Sequence, residues 1–136
     1  MNAQLRKQAI EILANTQKPD AEVLIKQFVW ANTAAPKYQI GDPVRFTPVG
    51  VSIHRNVPLP GGGWDRQTRR AGEVVGRIIE VRRLVREMCF TYRVEYETDL
   101  EEGTILNNHI TSHTSFVRED QLKQAQAYAP TKWSEL

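Results

Sequence analysis

The chain has 136 residues, 40% hydrophobic and 25% charged, with a formal net charge of +2. That length closes about one hydrophobic core and excludes two large domains, and the composition excludes wholesale disorder and fibrous repeats. No run approaches the roughly 18 apolar residues of a membrane span and the first residues lack a signal-like apolar stretch, so a cytoplasmic location without a membrane partner is expected. The single cysteine, Cys89, allows neither an internal disulfide nor a multi-cysteine zinc site.

From Ala3 to Asn15, Leu5, Ala9, Ile12 and Leu13 recur at helical spacing opposite Lys7 and Glu11, which predicts an amphipathic helix. Pro19, Asp20 and Glu22 then favour a new helix start, and a second helix is predicted near 20–32, with Val23, Leu24, Phe28 and Val29 as its apolar face and Ile25 and Trp30 beside it. This face must pack on something, either its own domain in a helical hairpin or a second copy of the chain. Ala34-Ala35-Pro36-Lys37 is a short linker. Tyr38 to Phe46 reads as a turn and a strand, with Val44 and Phe46 on one face and Arg45 on the other.

Thr47 to Gly72 contains Pro48, Pro58, Pro60 and the run Gly61-Gly62-Gly63 and reads as one long loop, of the kind that is functional or disordered in compact domains. Glu73 to Arg83 is a β-branched strand with a bulge or bend predicted at Gly76. In Met88 to Glu97 the residues Met88, Phe90, Tyr92, Val94 and Tyr96 alternate with Cys89, Thr91, Arg93, Glu95 and Glu97, one face buried and the other wet. Two further short strands are predicted near Thr104–Asn107 and Ser115–Arg118. Glu119 to Tyr128 reads as a helix, and the last residues as a tail.

The order Ile40-Gly41-Asp42-Pro43-Val44-Arg45-Phe46, then Gly72 to Val81, Tyr92-Arg93-Val94-Glu95-Tyr96 and Phe116 to Leu122 resembles the small Src-homology-three-like barrels over residues 38–122. The resemblance implies a five-stranded antiparallel barrel, an architecture that hosts many unrelated functions. Gly41-Asp42-Pro43-Val44-Arg45, Gly76-Arg77-Ile78 and Tyr92-Arg93-Val94-Glu95 also resemble, distantly, the plasmid-borne trimethoprim-resistant dihydrofolate reductases. Those enzymes line a shared pore with a V-Q-I-Y signature, and here the corresponding region reads Thr111-Ser112-His113-Thr114-Ser115-Phe116, so no substrate-binding residue is carried over.

Motifs for catalysis are sparse. His109 and His113 have H-x-x-x-H spacing, but in an extended chain the two rings stand roughly 13 Å apart, too far for one ion. Cys89 falls in a strand pattern, where an inert thiol is the default, His54 has no partner recognisable from spacing, and the triple glycine lacks the Lys-Ser/Thr of a phosphate-binding loop. No metal, cofactor or enzymatic activity is therefore expected.

Charge is more informative. Residues 36–96 carry eleven basic and six acidic groups, whereas 97–136 carry three and seven, and ten of the twelve arginines lie between Arg45 and Arg93. Arginine suits bidentate contact with carboxylate or phosphate. Arg55, Trp64, Arg66, Arg69, Arg70, Arg77, Arg82, Arg83 and Arg86 form the candidate partner-binding set. The predicted chain is an α+β protein with an amino-terminal helical hairpin over 1–35, a five-stranded barrel over 36–122, and the end of a carboxy-terminal helix and a tail over 123–136. The function expected of it is a non-catalytic binding module that docks the Arg-rich loop and strand on an acidic protein or nucleoprotein. The alternatives are direct binding of DNA or RNA and, behind it, a small barrel reductase; homo-oligomerisation would run through the amino-terminal helices.

Overall fold

The computed structural model describes residues 3–15, 18–101 and 109–136. Two helices, α1 (Ala3–Asn15) and α2 (Lys18–Thr33), precede the strands β1 (Pro43–Phe46), β2 (Ser52–Pro58), β3 (Trp64–Arg70), β4 (Val74–Leu84), β5 (Cys89–Asp99), β6 (Ile110–Arg118), β7 (Lys123–Gln124) and β8 (Thr131–Lys132). The fold is α+β with a mostly antiparallel sheet in the order β6-β5-β4-β1-β7; β8 joins β5 in parallel, and β2 and β3 form a separate two-stranded ribbon. Among the described residues the sheet does not close on itself, since β6 and β7 remain unpaired edges. The predicted strand near Thr104–Asn107 lies outside the described residues.

The central strand shows why the sequence folds this way. On β5, Phe90, Tyr92, Val94 and Tyr96 are buried, and Thr91, Arg93, Glu95 and Glu97 occupy the alternate positions that turn outward, as period-two alternation requires. With Tyr38, Val44, Phe46, Val74, Ile78, Val117 and Leu122 they make the main core. Complete burial of one such side chain stabilises by about 1.5–3 kcal/mol. At Gly76 the register is continuous and the irregularity falls between Ile78 and Glu80, so the bulge lies a few residues beyond the predicted position. Gly76 serves close approach instead: a Cβ there would meet Val94, the Glu95 carbonyl and Phe46.

Tyr92 ties the linker to the end of the sheet. The Tyr38 amide donates to the Tyr92 hydroxyl (3.3 Å), which donates to Glu119 (2.5 Å), and the Lys37 amide donates to the same carboxylate (3.1 Å). Burial, reinforced by Glu119, pushes the Tyr92 hydroxyl up to about 12.

Helix α2 docks through Trp30, whose ring lies 5.0 Å from that of Phe90, while Arg83 donates to the carbonyls of Ala31 and Ala34 at the helix end. A cation is favourable there because the last carbonyls of a helix lack partners and carry partial negative charge. The inward side of α2 holds Ala21, Ile25, Phe28 and Val29, whereas Val23 and Leu24, assigned to that face from the sequence, remain exposed. No described helix is long and apolar enough to cross a membrane.

The chain beyond Arg118 departs from the predicted helix and tail. A three-residue 3-10 turn, Glu119–Gln121, leads into β7, which pairs with β1 through Val44 and Arg45. The chain ends with Trp133 buried beside Ile53, Ala71 and Leu100 in a second apolar cluster. Leu122 and Ala125, the predicted helical contacts, are both buried, but as residues of an extended segment. Three apolar groups from distant parts of the chain outweigh local helix preference, which is worth only tenths of a kcal/mol per residue (about 0.7 or less).

Candidate functional site

The segment 47–72, read as a loop, is largely the β2–β3 ribbon. Its turn, Leu59–Gly63, is closed by hydrogen bonds from the Leu59 amide to the Gly63 carbonyl (3.0 Å) and from the Gly62 amide to the Leu59 carbonyl (3.1 Å). Gly62 and Gly63 adopt φ of 92° and 81°, in the left-handed region that side chains disfavour, so the turn requires glycine at these two positions.

Register assigns the two faces. Ser52 pairs with Arg70, His54 with Thr68, Asn56 with Arg66 and Pro58 with Trp64, while the intervening pairs are Ile53 with Arg69, Arg55 with Gln67 and Val57 with Asp65. Side chains alternate along a strand, so these are opposite faces. The second set faces the body of the protein: Ile53 is buried, and Arg55 donates to Gln67 (2.8 Å) and to the Leu100 carbonyl (3.0 Å) and lies 4.5 Å from the Trp133 ring centre. Arg69 donates to the Trp133 carbonyl (2.9 Å) and lies 5.2 Å from the same ring. These two arginines fasten the carboxy-terminal segment beneath the ribbon.

The first set faces solvent. Trp64, Arg66, Thr68 and Arg70 on β3, and Ser52, His54, Asn56 and Pro58 on β2, are all exposed, with Trp64 retaining 55% of its accessible surface. His54 and Thr68 are hydrogen-bonded to each other across the strands (2.7 Å). Among the described residues Arg66 and Arg70 have no hydrogen-bond or ion-pair partner, and no acidic residue lies on this face; Asp65 is on the inner one, where it accepts from Gln67 (3.2 Å). At roughly 3.4 Å per residue, Arg66 and Arg70 stand about 14 Å apart, the length of about four phosphates along one strand of a duplex.

The remaining members of the candidate set are dispersed. Arg77 pairs with Glu95 (3.5 Å) and lies over Tyr128 (4.9 Å). Arg82 is bonded to Glu80 (2.9 Å) and lies over Phe116 (4.6 Å). Arg83 belongs to the helix docking already described, and Arg86 sits in the β4–β5 turn, where its carbonyl accepts from Gln27 (3.0 Å). The nine residues thus divide into five arginines held by side-chain contacts (Arg55, Arg69, Arg77, Arg82 and Arg83), Arg86, whose guanidinium has no partner among the described residues, and a single coherent group, Trp64, Arg66 and Arg70.

Two polar features lie elsewhere. His113 is half-buried, bonded to Thr98 (3.0 Å) and stacked on Tyr96 (5.0 Å between ring centres), and its burial holds the imidazole below its ordinary range. Glu101 accepts two hydrogen bonds from Ser134, which hold its carboxyl below the usual range. Among the described residues no group of three or more His, Cys, Asp or Glu side chains is placed to hold a metal ion.

Sequence reasoning passed over Phe116. It lies on the outer side of β6, 57% exposed, with Arg82 at 4.6 Å and Arg93 at 5.9 Å from its ring centre. The signal was present in the alternation of β6, where Val117 is inward and Phe116 therefore outward. Comparison with known proteins finds no matching family model, no matching curated protein and no matching solved structure.

Proposed function

We propose that this chain is a non-catalytic binding module whose β2–β3 ribbon docks on nucleic acid. The observation that carries the reading is the outer face of the ribbon, where an exposed tryptophan, two unpartnered arginines and the side chains of Asn56, His54, Thr68 and Ser52 stand in register without an acidic residue. Arginines on such a face neutralise phosphates, amide and hydroxyl groups hydrogen-bond sugar, phosphate or base edges, and an exposed indole stacks on a base.

An acidic or nucleoprotein surface is the second reading, supported by the apolar tip, where Leu59 is exposed together with Trp64. Nucleic acid is preferred because three of the acidic residues near the carboxy-terminal end are engaged within the fold: Glu97 accepts from Tyr128, Glu101 from Ser134 and Glu119 from Tyr92. The strand order, with a 3-10 turn leading into a short strand that returns to β1, supports kinship of architecture with the Src-homology-three-like barrels.

The test is fluorescence anisotropy with labelled DNA and RNA oligonucleotides, single- and double-stranded, at 50 and 200 mM salt (about a fourfold range). The wild type binds at low salt, weakens as salt rises, and loses binding on double substitution Arg66→Glu with Arg70→Glu. Absence of binding to every oligonucleotide at low salt overturns the proposal, as does binding that the charge reversal leaves intact. Arg69 is unsuited to this test because its side chain holds Trp133.

A further inference from the structure

Resting on the reading of the ribbon as a nucleic-acid surface, we infer that the partner is single-stranded and that Phe116 is a second stacking platform on its path. Three observations place it there. Phe116 is the more exposed of two large apolar side chains, with Ile110, on a strand face otherwise made of Ser112, Thr114 and Arg118. The guanidinium groups of Arg82 and Arg93 lie over its ring, an arrangement in which a ring and its cations offer both a stacking plane and phosphate partners.

The third observation is continuity. Phe116 lines a small cavity of about 180 Å³ together with Pro48 and Val49, residues of the stem that leads into the ribbon. Val49 and Gly50 form a turn, Gly50 with φ of 69°, and from Val49 to Ser52, which pairs with Arg70 at the base of the outer face, the three steps span at most about 10 Å. A path from Trp64 past Arg66 and Arg70 to Phe116 is therefore at most about 30 Å long, with an aromatic platform at each end and arginines between.

A duplex does not use such a path, because its bases are stacked on one another and have no free face for a side-chain ring. A flexible single strand does, and its unstacked bases have a face to lay on Trp64 and Phe116. The charges near Phe116 are mixed. Arg82 is paired with Glu80 (2.9 Å) and Arg118 with Asp120 (3.8 Å), and Arg93 has no acidic partner among the described residues. The platform therefore contributes stacking first and charge second, and removal of the ring is the informative change.

The experiment measures binding of labelled 12-mers of single-stranded DNA and RNA, a single-stranded 4-mer and a 12-base-pair duplex to the full chain. The compared proteins are wild type, Phe116→Ala, Phe116→Tyr and the double substitution Arg66→Glu with Arg70→Glu. Single-stranded 12-mers bind more tightly than the duplex, and Phe116→Ala weakens them about tenfold, within the range for loss of one stacked base. The same change weakens the 4-mer, too short to engage both platforms at once, less than the 12-mers, and Phe116→Tyr, which keeps a ring, retains tight binding. DNA and RNA 12-mers show which sugar the path accepts. If the 12-mers bind and the charge reversal removes that binding while Phe116→Ala does not change it, the path fails and the ribbon reading stands. A duplex bound as tightly as the single strands, or weakened equally by Phe116→Ala, also overturns the path. If the wild type binds no oligonucleotide, both readings fall.

Discussion

Replacing Gly76 by Ala inserts one methyl group where β4 runs between β1 and β5. Gly76 pairs with Val44 on one side and Tyr96 on the other, and an added Cβ would lie 2.5 Å from Val94 Cγ1, 2.7 Å from the Glu95 carbonyl oxygen and 3.3 Å from Phe46 Cε1. Carbon atoms rest at about 3.5–4.0 Å from one another, so the methyl overlaps the nearest by about 1 Å. Val94 is fully buried and, being β-branched, has little rotamer freedom with which to yield. The Glu95 oxygen is backbone and moves only with the central strand. Overpacking destabilises by about 1–3 kcal/mol, occasionally more, and because backbone must move here the upper end, about 3 kcal/mol, is expected. With a urea slope of about 2 kcal/mol/M the midpoint falls by about 1.5 M at unchanged slope. Urea titration followed by tryptophan fluorescence and circular dichroism reads both quantities. A midpoint within about 0.2 M of wild type, roughly 0.4 kcal/mol at that slope, would refute the reasoning. Gly61→Ala is the control: its Cβ meets nothing within 4 Å, so stability is unchanged or rises by up to about 1 kcal/mol.

Two more predictions concern the anchors of the fold. Trp133→Ala removes the indole that lies against Arg55 and Arg69 and fills the second apolar cluster; it lowers stability by about 3–5 kcal/mol, and amide exchange in the ribbon, residues 52–70, accelerates more than in β5. Equal acceleration in both would contradict the assignment of Trp133 to the ribbon. His113 is held neutral by burial, whereas the unfolded imidazole takes up its proton near pH 6.5. Protons bound preferentially by the unfolded chain favour unfolding, so stability is retained above that pH and declines as pH falls below about 7 towards the lower folded value. His113→Gln flattens this decline, and urea midpoints at several pH values measure it; an identical decline in the variant would contradict the account.

What the sequence made legible follows the physics of each element. On β5 every second residue is large and apolar, so one strand's own pattern specified its buried face. The ribbon has only a weak pattern, because beside Ile53 and Val57 its inner face holds Arg55, Gln67 and Arg69, and the two arginines pack on Trp133 from the far end of the chain. Local periodicity cannot register a contact of that kind, and Pro58, Pro60 and the triple glycine directed the reading towards a loop. The carboxy-terminal segment was misread for the same reason, since Trp133 is fixed by tertiary contacts alone. For the candidate site, composition pointed to arginine, and the abundance was real. Division of those arginines into anchored and free ones depends on register: a single residue separates Arg70, which faces solvent, from Arg69, which clamps the carboxy-terminal segment. Phe116 escaped notice because an aromatic in a strand is ordinarily taken for core.

The measurement closest to the central claim is the salt dependence of oligonucleotide binding by wild type and by the charge-neutral double substitution Arg66→Gln with Arg70→Gln. Each phosphate contact on a single strand contributes about 0.7 to the slope of log affinity against log salt, so removing two contacts lowers the slope by about 1.4, and the two proteins differ about sevenfold less at 200 mM than at 50 mM salt. Arg45→Gln, whose guanidinium is paired with Glu73 at 3.6 Å, leaves the slope unchanged. Equal slopes for wild type and the ribbon variant would contradict the account.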